Sequence, residues 1–278
     1  MVPGSPAPPL AYRSPLRSEA NAGRVALVTG GGTGIGRATA LELAGTGASV
    51  VVCGRRAEPL ERARADIEAA GGACLAVPGD LREPDEVERV VDRAIERFGR
   101  VDVLVNNAGG QFTAPAEEIS DKGWRAVHRL SVDAVWSVTR TVATRSMIPR
   151  GDGGLVVFVA FSPLRGTPGF AHAAAARAAV VNLASGLSLE WSRYGIRSVC
   201  VAPGAILTEG LEGYGAEQVE AWRRTVPLGR LGRPEEVAAL IAFLASAGGA
   251  YVTGTTIVVD GGADAWGIGE PPPPLEVS

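Results

Sequence analysis

Lysine is almost absent: Lys122 is the single one, and every other residue among the 27 basic ones is arginine. That bias, with abundant Ala, Gly, Val and Pro, points to a GC-rich genome. Histidine occurs twice and cysteine three times, with no Cys-x-x-Cys or Cys/His spacing, so neither a metal site nor a disulfide framework is expected. Cys53 and Cys200 fall inside apolar strand-like runs and read as buried reduced thiols of a cytoplasmic protein. No uninterrupted apolar run approaches the roughly 18 residues of a membrane span. The opening MVPGSPAPPL has no basic segment ahead of an apolar core, so no secretory signal is expected. With 30 acidic residues against the 27 basic, the net charge of −3 gives no general attraction to nucleic acid or membrane.

What is present is organised around Val25–Arg37, VALVTGGGTGIGR. A short β-branched run reads as a buried strand, glycines follow at once, and Ala38, Leu41 and Ala44 then recur at helical spacing. Glycines allow a sharp turn and close approach of a ligand, and free N–H groups of the first helical turn face a pyrophosphate. Beyond it, apolar strand-like runs alternate with helical patterns. The strands expected are 25–29, 49–53, 73–77, 102–105, 154–159, 197–201 and 255–259. The helices expected are 34–46, 58–70, 84–98, 121–144, 172–193, 216–224 and 234–246, several closed by glycines at 47, 71, 99 and 195 that suit a left-handed cap. Seven strands with intervening helices predict an α/β fold: a single Rossmann-like, doubly wound, parallel seven-stranded sheet with helices on both faces. Residues 1–23 read as a disordered arm, 24–262 as one dinucleotide-binding domain with a substrate lid at 205–224, and 263–278 as a proline-rich tail.

The second strand ends Val52-Cys53-Gly54-Arg55-Arg56 with no acid, and a guanidinium pair there suits a 2′-phosphate, hence NADP(H) over NAD(H). Thr29-Gly30-x-x-x-Gly34-x-Gly36, Asp80, Asn106-Asn107-Ala108-Gly109 and Pro203-Gly204 occur in that order. Together they resemble the short-chain dehydrogenase/reductase family over roughly 24–262. The resemblance implies that Gly30, Gly32, Thr33, Gly34, Ile35 and Gly36 hold the pyrophosphate and that Asp80 with Leu81 meets the adenine. Asn107, Ala108 and Gly109 would flank the adenosine ribose, and Thr208, beyond Pro203 and Gly204, would hold the nicotinamide carboxamide. It also implies a homotetramer built on 121–144, 172–193 and the last strand.

The family's catalytic row is Tyr-x-x-x-Lys with a preceding Ser and Asn. Here the tyrosine position is Ala173, the lysine position Arg177, the serine position Ala160 and the asparagine position Ser131. A methyl group donates no proton, so ordinary carbonyl reduction is not expected. Reduction of a C=C bond conjugated to a thioester instead spreads charge into an enolate, which needs hydrogen-bond donors rather than a titrating tyrosine. Gln111, Phe112, His172 and Arg177 further resemble the trans-2-enoyl-CoA and 2,4-dienoyl-CoA reductase branch; Ser131 and Ala173 depart from it.

Arg177, Ser131 and His172 are the candidate catalytic residues, although His172 points about 100° from the tyrosine position on a helix, and Arg177 is also a candidate for the cofactor's ribose hydroxyls. His128 reads as structural. Gln111, Phe112, Ser162 and Tyr214 are the candidate substrate contacts, and Arg165, Arg223 and Arg224 are candidates for CoA phosphates. Three functions stay open: an NADPH-dependent reductase of an activated C=C bond, a non-redox or regulatory NADP(H)-binding protein, and a carbonyl reductase with a displaced acid.

Overall fold

The computed structural model describes residues 13–161 and 166–266. β1 (Val25–Thr29) is buried along its whole length, as its unbroken apolar run requires for a strand covered on both faces. It pairs in parallel with β2 (Ser49–Gly54) on one side and β4 (Val103–Asn106) on the other. With β3 (Cys74–Pro78), β5 (Gly154–Val159), β6 (Ile196–Pro203) and β7 (Thr256–Val259), the sheet has the order β3-β2-β1-β4-β5-β6-β7. The expected fold class is the observed one.

Side chains alternate across the sheet into two cores. Leu27, Val51, Leu104 and Val156 face α3 (Pro84–Phe98), α5 (Ala134–Val142) and α7 (Ala171–Glu190). Ala26, Val50, Val103 and Val105 face α1 (Gly34–Gly45), α2 (Ala57–Ala69) and α9 (Pro234–Ala245). The strand order reverses its direction of growth between β1 and β4, and ligands of such sheets bind beyond the carboxyl ends at that point.

Three expectations are corrected. The helix expected over 121–144 runs to Arg150: α4 (Asp121–His128) continues through a π-turn at Arg129–Asp133 into α5, then through a second at Ala143–Met147 into α6 (Ile148–Arg150). Pro149 would clash in a regular α-helix, and the second π-turn precedes it. Second, β6 is longer at both ends than 197–201, because pairing with β7 continues as far as Pro203 opposite Val259. Third, residues 13–23 are seated on the domain rather than forming an arm. Asn21, 1% exposed, donates to Thr46 Oγ1 (2.9 Å) and to the Ala242 carbonyl (3.1 Å), and Ser14 donates to Glu42 (2.5 Å). A few polar contacts leave no hydrophobic period to read. At the other end, the expected tail begins as a short helix, α10 (Ala263–Trp266). Ser162, Arg165, the first twelve residues and those from 267 lie outside the described residues.

Candidate functional site

The β1–α1 turn is made by Gly30 and Gly34, both with positive φ (64° and 51°). A Cβ on Gly36 would run into the Gly30 carbonyl and Asn107 Nδ2, so that glycine closes the helix onto the turn. Thr29 Oγ1 accepts from the backbone N–H of Asn107 (3.0 Å) and of Ala108 (2.9 Å). Asn107 Nδ2 in turn donates to the carbonyls of Thr29 (2.9 Å) and Gly30 (3.3 Å). The loops after β1 and β4 are thereby one unit. Thr33, the N-cap of α1, makes no side-chain cap, leaving the first-turn N–H groups for an anion.

Beside this unit lies a cavity of about 230 Å³ lined by Gly30, Gly32, Thr33, Arg55, Arg56, Asp80, Leu81, Asn107, Ala108 and Gly109, among others. Arg55 and Arg56 are exposed and, among the described residues, make no hydrogen bond or ion pair. Two unpaired guanidinium groups over a glycine turn fit a phosphorylated dinucleotide. Asp80 lines the cavity, but its carboxylate is gripped by the Arg82 side chain, whose hydrogen bonds hold it down at about 2. Nothing in the local sequence pattern signals that pairing.

A second cavity, of about 410 Å³, opens beyond β4, β5 and β6 and is lined by Ile35, Asn107, Gln111, Ala160, Phe161, Arg177, Pro203, Gly204, Thr208 and Tyr214, among others. Thr208 stands against the glycine turn, 3.3 Å from where a Cβ on Gly34 would lie. Arg177 Nη1 donates to the Val159 carbonyl (2.6 Å), its guanidinium lies 5.6 Å from the Phe161 ring centre, and Nη2 abuts Gly109. Among the described residues it has no acidic partner. Burial pushes it down to about 10, so it is still a cation at neutral pH. Ala160 lines the cavity and Ala173 packs with Val127, Phe170 and Ala176 under Phe161, Tyr214 and Trp222.

The remaining expected residues are placed apart. Ser131 is buried in the first π-turn and lines neither cavity. His172 is fully buried against Phe112 and also lines neither. His128 stacks on Trp124 (4.4 Å) with Nδ1 3.0 Å from the Trp124 carbonyl, a structural placement. The segment expected as a lid folds as a 3₁₀ turn (Glu209–Tyr214) and α8 (Ala216–Arg224). Tyr214 lies edge-on to Trp222 (5.1 Å) and tilted to Phe170 (6.1 Å). Arg223 and Arg224 both pair with Glu220, holding that carboxyl at about 2, instead of standing free for phosphates. Sequence reasoning missed Phe170, Leu211, Val226 and Asp260 in the cavity wall; they come from four separate segments and carry no local signal.

Comparison with known proteins places these features. A family model described as Enoyl-(Acyl carrier protein) reductase matches residues 30–264. The chain is 38% identical over 248 residues to a probable 2,4-dienoyl-CoA reductase of Bacillus subtilis, covering 86% of this chain and 96% of that protein. It is 37% identical to a 3-oxoacyl-[acyl-carrier-protein] reductase of Synechocystis, covering 86% and 96%. Among solved structures, a citronellol catabolism dehydrogenase of Pseudomonas aeruginosa superposes with a TM-score of 0.81 at 40% identity, covering 91% of this chain and all of that one. A gluconate 5-dehydrogenase from Beutenbergia cavernae, described with NADP bound at low occupancy, gives 0.83 at 36%, covering 90% and 100%.

Proposed function

This chain belongs to the short-chain dehydrogenase/reductase family of NAD(P)-using oxidoreductases, and we propose that within it the protein is an NADPH-dependent reductase of an activated C=C bond in a 2-enoyl thioester. The observation that carries the reading is Arg177: a half-buried cation with no acidic partner among the described residues, lining the larger cavity where Ala160 stands in the serine's place and offers no hydroxyl, while Ala173 is packed among Val127, Phe170 and Ala176. Such a site answers developing negative charge better than it delivers a proton. Relatives named as 2,4-dienoyl-CoA and 3-oxoacyl carrier-protein reductases support an acyl thioester as substrate.

NADP(H) would be held by the β1–α1 turn, with Arg55 and Arg56 on its 2′-phosphate, Asn107, Ala108 and Gly109 along the ribose and Thr208 on the carboxamide. When bound it supplies a hydride. Arg177 holds the thioester oxygen as charge gathers there, and Gln111 orients the same group from the facing loop. Water supplies the proton for the α-carbon. Ser131, buried in the π-turn, takes no step here, and Tyr214 with Trp222 closes the acyl end of the cavity. Trp136 on α5, Leu189 on α7 and Tyr251, beyond α9, leave apolar surface exposed, which supports a homotetramer formed through the helices named from the sequence. Among the described residues no helix is long and apolar enough to cross a membrane.

The test is NADPH consumption with crotonyl-CoA and longer enoyl-CoAs beside a panel of ketones. Turnover is expected with the enoyl-CoAs and none with the ketones. Silence across every compound, with NADPH still binding, would replace this reading by the non-redox one.

A further inference from the structure

His172 is 0% exposed, and neither of its ring nitrogens has a hydrogen-bond partner among the described residues. Natural structures keep few buried polar atoms in that state, and two on one ring call for a reason. Its ring lies 4.2 Å from that of Phe112 at 29°, nearly stacked, and Phe112 is itself 39% exposed. Phe112 is therefore the layer between the imidazole and the outside. Burial, with a smaller coulombic contribution from the neighbouring imidazole on α4, lowers His172 from the ordinary histidine value. Among the described residues no carboxylate makes an ion pair with the ring. The imidazole is neutral at neutral pH, with one N–H donor.

Both flanks of this stack reach the larger cavity. Gln111, next to Phe112, lines it, and so does Phe170, two residues before His172. The loop that carries Phe112 is tied to the start of α7 by one backbone bond, Ala114 N–H to the Gly169 carbonyl (3.1 Å). Phe112 rests on Gly123 of α4, where any Cβ would meet the ring.

Resting on the acyl-thioester reading of the site, we propose that Phe112 is a cover and His172 a carbonyl-binding residue beneath it. When an acyl thioester fills the cavity, the Phe112 ring turns away and the planar thioester takes its place against the imidazole. The neutral N–H then donates to the thioester carbonyl oxygen.

The chain has only two histidines, so ring-nitrogen NMR of the full-length protein gives two sets of signals, assigned with His128→Gln. The probe is hexanoyl-CoA, which carries no C=C bond to reduce, with CoA alone as control. Hexanoyl-CoA is expected to move the His172 signals and CoA to leave them in place. Phe112→Ala, by opening the ring to water, should bring its titration closer to the ordinary histidine value. His172→Phe keeps the stack without the N–H and should weaken hexanoyl-CoA about tenfold, with CoA affinity unchanged. Unmoved His172 signals at saturating hexanoyl-CoA, an equal response to CoA, an unchanged titration in Phe112→Ala, or no binding of hexanoyl-CoA would each overturn the proposal. Movement of His172 without any NADPH oxidation on enoyl-CoAs would sink the reductase and leave this subsite standing. Turnover with His172 undisturbed would do the reverse.

Discussion

Among the described residues Arg177 is a cation held without an anion, and two short-range interactions fix it: its bond to the Val159 carbonyl and its place over Phe161. If it stabilises an enolate, Arg177→Met should lower kcat for enoyl-CoA reduction by about 100-fold, the scale of one lost oxyanion donor, while NADPH affinity changes little. Arg177→Lys should recover part of that loss, since a point charge remains without the planar fork. Combined with Ala173→Tyr, it should bring carbonyl reduction into view on the ketone panel; no ketone turnover would mean that more than the proton donor has changed. The same scale sets a pH dependence. His172 titrates lower in the folded chain than in the unfolded one, so the unfolded state binds more protons as pH drops. Stability should therefore be flat above about pH 6.5 and fall below it, and urea melts of His172→Phe should lose that acid-side slope.

At the scale of the elements, loops are joined by contacts too close for a side chain. Gly109 after β4 lies against Arg177 of α7, and an added Cβ there would collide with Nη2. Gly109→Ala should displace Arg177 from the Val159 carbonyl, weakening catalysis, and should crowd the cofactor cavity that Gly109 lines, weakening NADPH binding, whereas Gly45→Ala, with nothing within 4 Å, should leave both unchanged. Steady-state kinetics beside NADPH titration separates the two outcomes. This distinction marks what the sequence could carry. Strand, glycine turn and helix were legible at Val25–Arg37 because each is a local pattern, and the two-sided burial of β1 follows from its unbroken apolar run. The π-turn at Arg129–Asp133 was not legible, because Ser131 has ordinary helical neighbours and the extra residue is set by packing. The pairing of Asp80 with Arg82 and the stacking of Phe112 on His172 were hidden for a related reason. Both depend on which rotamer meets which, and each residue had a plausible other role.

Across the whole molecule, stability and chemistry occupy opposite ends of one sheet. Both cavities open at the carboxyl ends of the strands. At the amino ends, Asp102 is buried just before β4, accepting from the Val25 backbone N–H (2.8 Å), from Arg100 Nε (2.7 Å) and from Arg150 Nη2 (3.0 Å). One carboxylate thus joins β1, β4 and the end of the long broken helix, far along the strands from the glycine turn. Removing it leaves the Val25 N–H unpaired and Arg150 and Arg100 with Asp152, half-exposed, as their remaining acid. Breaking a buried pair and leaving its partner uncompensated costs about 3–5 kcal/mol; because Asp152 still compensates both arginines, Asp102→Ala should cost less, about 2 kcal/mol. Asp102→Asn, which keeps an acceptor for the Val25 N–H, should lose less. Below the melting temperature both variants should bind NADPH as the parent does, because the Thr29–Asn107 unit keeps its own hydrogen bonds at the other end of β1. Thermal melts paired with NADPH titration decide it: affinity falling in step with stability would mean that β1 transmits strain along its length, and that the two ends are one device.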